Sequence, residues 1–239
     1  MNLLSDKVAV VTGAGKGIGR ACARLFAAEG AAVVLAARTA EDIEAVAAEI
    51  AAASGKALAV PTDVSDESSV ENLFARAAAE FGQVDILINN AGVYHGWSPI
   101  VDYKTEDWDS LLQVNLRGVF LCTRAALRLM KERRQGKVIN ISSVAGKWAM
   151  GNGAAYCTSK FGLDGFNWVG AREGREFGVS FTTINPGVVN TEGQGDDNPA
   201  KAGWLLPEEV AQAALFAASA RPETTVFEIT LFPIEQAPW

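Results

Sequence analysis

The stretch Val11–Arg20, VTGAGKGIGR, sets four glycines and a lysine between an apolar run and a helical pattern. An apolar strand, a tight glycine turn and a helix start together make an anion site, because free backbone N–H groups and the helix dipole both favour negative charge there. The anion such a loop suits is a pyrophosphate. Lys16 is followed by Gly17 rather than Ser or Thr, so the loop is a poor P-loop, and Ile18 breaks the common GxGxxG spacing.

Outward from this loop, apolar runs alternate with helical patterns. VAVVT precedes GRACARLFAAEG, AVVLAA precedes AEDIEAVAAEIAAASG, and ALAVPT precedes DESSVENLFARAAAEFG. DILINN, a long helical pattern from about Thr105, KVINIS, a helix from about Ala154 and SFTTIN follow. Continuous Val, Ile and Ala without polar alternation is what a parallel sheet covered on both faces requires. The expected fold is therefore α/β, a Rossmann-like doubly wound parallel sheet flanked by helices, in a single domain over 1–239. Residues just after each strand are the place to look for a site, since ligands in such sheets bind outside the carboxyl ends of the strands.

Composition excludes several alternatives. The chain has 239 residues, 49% of them hydrophobic and 21% charged, as globular domains do. A net charge of −7 argues against nucleic acid, and the one basic cluster, RLMKERRQGK, ends a helical pattern where cations suit the dipole. The opening MNLLSDKVAVV lacks signal-peptide features and no apolar run is long enough to span a bilayer, so no membrane partner and a cytoplasmic location are expected. Cys22, Cys122 and Cys157 lack CxxC spacing and read as buried small hydrophobes, with no metal site. His95 is the single histidine, which excludes a His-rich metal centre and leaves a Ser-His-Asp triad without its nucleophile-elbow motif.

Thr12, Gly13, Gly17 and Gly19 form the pattern TGxxxGxG, NNAG spans Asn89 to Gly92, and AAYCTSKFG sets Tyr156 and Lys160 four residues apart on one helix face. With these motifs in this order the chain resembles the short-chain dehydrogenase/reductase family almost throughout. The resemblance implies a nicotinamide dinucleotide held by Gly13, Gly15, Lys16, Gly17, Ile18 and Gly19. Asp63 and Val64 would meet the adenine, and Asn90, Ala91 and Gly92 would follow the fourth strand along the cofactor. Pro186, Gly187, Val189 and Thr191, in PGVVNT, would hold the nicotinamide carboxamide, and Tyr156 and Lys160 its ribose. Each of these has a structural alternative. Asp63 can cap a helix, although Ser65 and Asp66 are better placed, and the Asn and Pro-Gly segments can be turns.

Arg38 and Thr39 follow the second strand where an acid would hold the ribose 2′-OH of NAD, and Lys16 adds a cation inside the loop. With no aspartate at position 37 or 38, the expected cofactor is NADP(H).

The resemblance further implies a catalytic tetrad of Asn115, Ser143, Tyr156 and Lys160. Ser143 in NISSVAGK stands thirteen positions before Tyr156, whereas Ser142 is one short and is read as a structural hydroxyl, the two roles being exchangeable. Asn115, an indifferent helix former inside LLQVNLRG, would hold a water linking Lys160 to solvent. A free tyrosine titrates near pH 10, and a neighbouring ammonium together with the cation of an oxidised nicotinamide would lower that value. The implied reaction is reversible reduction of a carbonyl to a secondary alcohol on a small molecule. The alternative is a non-catalytic NADP-binding redox sensor or scaffold.

Tyr94, His95, Trp97, Trp148, Met150 and Trp204 are candidate substrate-site residues, and the loop from Glu192 to Leu206 is brief for a substrate lid. The C-terminus, TVFEITLFPIEQAPW, departs from the family's glycine pair after the last strand. By resemblance, the helices carrying Asn115 and Tyr156 would pair copies of the chain into a homo-oligomer, a tetramer or dimer.

Overall fold

The structure is a computed structural model that describes residues 2–191, 201 and 203–236. Seven parallel strands form one sheet in the order β3-β2-β1-β4-β5-β6-β7. They are β1 (Val8–Thr12), β2 (Ala32–Ala37), β3 (Lys56–Pro61), β4 (Ile86–Asn89), β5 (Gly136–Ile141), β6 (Val179–Pro186) and β7 (Glu228–Leu231). The six apolar runs are all strands. The seventh alternates exposed and half-buried residues at the sheet edge, so it lacks the continuous apolar signal.

Successive residues of a strand face opposite sides, and the core divides accordingly. Val11, Ile88 and Ile184 face a layer with Phe26 of α1 (Gly17–Ala28), Ile43 of α2 (Ala40–Ala52) and Val210 of α7 (Pro207–Ser219). Val10, Leu87 and Phe181 face the other, with Phe74 of α3 (Glu67–Phe81), Leu121 and Met130 of α5 (Gly118–Arg133) and Ala171 of α6 (Ala154–Gly174). Each layer buries one face of the sheet, as a doubly wound fold requires.

The helical pattern from Thr105 is not one regular helix. It runs as α4 (Thr105–Leu112), a π-helical turn at Gln113–Arg117 and then α5. Such turns occur often at functional sites, and Asn115 stands in this one.

Strand order reverses between β1 and β4, and both NNAG and the glycine loop emerge at that seam. Asn89 is buried in the sheet, donating to Thr123 Oγ1 (3.0 Å) and to its register partner Asn140 (2.9 Å), which in turn donates to Asn167. Asn90 turns the other way and straps the glycine loop, donating to the carbonyls of Thr12 (2.9 Å) and Gly13 (3.1 Å). Thr12 Oγ1 accepts from the backbone N–H groups of Asn90 and Ala91, each at 3.0 Å.

This strap leaves no room at Gly19. A Cβ there would stand 2.1 Å from the Gly13 carbonyl oxygen and 2.5 Å from Asn90 Nδ2. Gly19→Ala is expected to destabilise the protein by about 3 kcal/mol or more, because backbone must move to admit the methyl. Thermal unfolding of the variant checks this, and an unchanged midpoint would contradict it.

The RLMKERRQGK cluster is absorbed structurally. Arg128 pairs with Glu71, Arg133 with Asp85, and Arg134 ends α5 in the left-handed conformation. Among the described residues no helix is long and apolar enough to cross a membrane.

Candidate active site

Two cavities open at the carboxyl edge of the sheet, sharing Gly92 and Val93 as lining. The smaller, about 190 Å³, is lined by Gly13, Gly15, Lys16, Arg38, Thr39, Asp63, Val64 and Ala91. The larger, about 340 Å³, gathers Ile18, Asn90, Asn115, Ser143, Tyr156, Lys160, Pro186, Gly187, Val189 and Thr191. Of the residues expected to hold the cofactor or to act in catalysis, only Gly17 and Gly19 line neither; they shape the turn.

The smaller cavity has the form of a phosphate cradle. Gly13 and Gly17 hold φ at +64° and +51°, and a Cβ at Gly13 would stand 2.8 Å from Asn90 Nδ2. Asp63 accepts from both the backbone N–H and hydroxyl of Ser65, which hold its carboxyl below the usual range with help from Arg38. Asp66, not Asp63, caps α3. Asp42 on α2 also lines this cavity and pairs with Lys16 at 3.2 Å, an acid the sequence reading does not place there.

In the larger cavity, Ser143 begins a 3₁₀ turn at the end of β5, its Oγ accepting from the Ala145 N–H at 3.1 Å, and it lines the cleft together with Tyr156 from α6. Lys160 lies one helical turn on, buried, its Nζ donating to the Ile141 carbonyl at 3.0 Å and standing 5.6 Å from the centre of the Tyr156 ring. Close approach of the 3₁₀ turn to α6 needs Gly146, where a Cβ would meet the Lys160 carbonyl oxygen at 2.9 Å.

This chain's own groups do not by themselves acidify the tyrosine. Burial pushes the Tyr156 phenol above 10, with the neighbouring Ser143 hydroxyl opposing it. Burial also pushes the Lys160 ammonium down to about 8, partly offset by Asp164 one turn further along α6. Lys160 directs its charge at the Ile141 carbonyl, and desolvation prevails at both groups.

The side chain of Asn115 is engaged with backbone. Its Oδ1 accepts from the Val93 N–H (2.7 Å) and its Nδ2 donates to the Val93 carbonyl (2.9 Å), so its side chain clamps the segment after NNAG.

A family profile described as short chain dehydrogenase matches residues 7–202. The chain belongs to the short-chain dehydrogenase family. An uncharacterised oxidoreductase of Staphylococcus aureus is 39% identical over 234 residues, covering 98% of this chain and all of that one. The D-threitol dehydrogenase of Mycolicibacterium smegmatis is 40% identical over 227 residues, 90% of this chain and 87% of its own. Among solved structures, a metagenomic short-chain oxidoreductase in complex with NADP superposes with a TM-score of 0.86 at 35% identity, covering 98% of this chain and all of its own.

This short-chain dehydrogenase has a cleft residue that no motif announced. Gln236 accepts from the Val188 N–H at 2.8 Å and lines the larger cavity beside Pro186 and Gly187. Its Oε1 would lie 2.2 Å from a Cβ at Gly187, so the C-terminal turn and the glycine fit each other. The departure of the C-terminus from the usual glycine pair was the one available signal. Segment 188–190 is pinned from its other side by Leu205.

Other candidates are placed apart. His95 lies 3.8 Å from Asp107, Trp148 packs on Phe232, and neither lines the cleft, nor does Trp204. Tyr94 and Met150 do line it. Cys22, Cys122 and Cys157 are buried, the first two thiols pushed up to about 12. Of the expected lid, residues 192–200 and 202 lie outside the described residues.

Proposed function

We propose that the protein is an NADP(H)-dependent reductase of ketones, running in reverse as a dehydrogenase of secondary alcohols. The observation that carries this reading is that Ser143, Tyr156 and Lys160 line one cleft at the carboxyl edge of the sheet. A protein that only binds a dinucleotide does not need a serine and a tyrosine together in one cleft.

When bound, NADPH would supply the hydride that attacks the carbonyl carbon. Ser143 and Tyr156 would receive the carbonyl oxygen between their hydroxyls, preplaced donors for the negative charge that develops there. Tyr156, kept protonated by its raised pKa, would deliver its proton to that oxygen. Lys160 would offset the phenolate left behind and hold the nicotinamide ribose. Asn115 would fix the wall of the cleft through Val93.

NADP(H) is preferred to NAD(H) because Arg38 is exposed in the smaller cavity, where the 2′-phosphate would lie. Lys16 is already paired with Asp42, so the contact rests chiefly on Arg38. A charge-assisted contact contributes about 1.5–3 kcal/mol, so Arg38→Ala is expected to weaken NADPH at least about tenfold and NADH much less. Fluorescence titration of both cofactors tests this, and tighter binding of NADH by the unaltered protein would refute it. The NADP-bound relative supports the same assignment, and the D-threitol dehydrogenase supports action on a CH–OH/C=O pair.

A homo-oligomer is part of this reading. Phe120 on α5 and Phe161 and Trp168 on α6 are large exposed apolar side chains, and a cavity of about 630 Å³ opens between Leu116, Phe120 and Phe166. Such a face suits a second copy of the same chain.

A further inference from the structure

We infer that the substrate is an uncharged ketone bearing an aromatic ring beside the carbonyl, and that Tyr94 selects it; this rests on the reductase reading above. Tyr94 is 62% exposed, yet its ring stands edge-on to that of Tyr156, with centroids 5.1 Å apart and planes at 85°. Trp97 backs both, its ring centre 5.3 Å from Tyr94 and 6.3 Å from Tyr156. The reacting phenol is thus flanked by two further aromatic rings. Val144, Met150 and Val188 line the same cavity. Rings prefer edge-to-face and offset contacts at these separations, and an aryl group beside the carbonyl would extend the cluster.

The amide groups that shape the cleft are largely engaged with backbone. Both ends of the Asn115 amide are bonded to Val93, Asn90 is bonded to the glycine loop, and Gln236 Oε1 holds Val188. Ser142 also lines the cavity, its buried Oγ without a partner among the described residues. Lys160 is the one charged residue among the described residues lining this cavity, and it is directed at Ile141. A carboxylate or phosphate on the substrate would lose water without meeting a cation. The hydroxyls of a polyhydroxy ketone would find the amides of Asn115 and Asn90 already engaged.

The experiment compares acetophenone, erythrulose and pyruvate by kcat/KM with NADPH, and in parallel by ligand-observed NMR binding to the intact protein with and without NADP⁺. Acetophenone should exceed both others by about 100-fold in kcat/KM. Tyr94→Leu should lower the ratio of acetophenone to 2-butanone about tenfold, while Tyr94→Phe retains it. Faster turnover of erythrulose or pyruvate would overturn the substrate class and leave the reductase reading standing. An unaltered ratio in Tyr94→Leu would overturn the role of Tyr94. Acetophenone bound in the cleft but never reduced would uphold the pocket chemistry and overturn the reductase reading; neither binding nor turnover of any ketone would overturn both.

Discussion

Tyr156→Phe should lower kcat for ketone reduction by about 10²- to 10⁴-fold, the usual contribution of a positioned proton donor. The change removes one oxygen and keeps the ring against Tyr94 and Trp97, so packing is nearly preserved. What goes is the proton for the developing alkoxide and the hydroxyl beside that of Ser143. Loss of reduced-nicotinamide absorbance in the presence of a ketone measures it, and equal rates in the two proteins would remove the enzymatic claim. The unaltered protein should also show kcat/KM for reduction falling as pH passes about 8, where Lys160 gives up the charge that offsets the phenolate.

Lys160→Met should abolish measurable turnover and at the same time make the protein more stable at neutral pH. The buried lysine titrates at about 8 instead of the ordinary 10.5, so keeping it charged at pH 7 costs the fold about 3 kcal/mol. Methionine removes that cost and leaves the Ile141 carbonyl without its donor, a loss of about 1 kcal/mol. A net gain of about 2 kcal/mol corresponds to a Tm about 4–8 °C higher in a chain of this size.

The pH dependence has a definite sign. Between about 8 and 10.5 the unfolded lysine keeps its proton while the folded one releases it, so stability of the unaltered protein rises with pH across that window. Tyr156 acts oppositely, but only above pH 10, where the unfolded phenol ionises first. Calorimetry at pH 7, 8 and 9.5 should show the rise in the unaltered protein and its loss in Lys160→Met. A lower Tm for the variant at pH 7 would show that the ammonium stabilises the fold.

How much of this was legible in the sequence follows from the range of each interaction. The glycine loop and the Tyr156–Lys160 pair are local: a turn and a single helical repeat suffice to place them. Six strands announced themselves by short apolar runs, even the edge strand β3, where only Val60 is fully buried. Asn115 could be singled out but not its partner, because a π turn carries no Gly or Pro signature at 113–117 and Val93 lies 22 residues away. Asp42 escaped because it reaches Lys16 across the β1–β2 crossover. Gln236 meets Val188 from 48 residues further along the chain, a pairing that only the folded path of β7 produces. The raised Tyr156 pKa escaped for a related reason: proximity to Lys160 was readable, whereas the depth of burial that opposes it was not.

The amide of Asn90 crosses the line where the sheet changes direction and grips the turn on the far side. Nucleotide lodged in that turn would therefore act as a rivet through a joint already stitched, bracing β1 and β4 at once. Only the joined sheet would offer that grip, so the temperature at which the core melts should climb with the concentration of the dinucleotide.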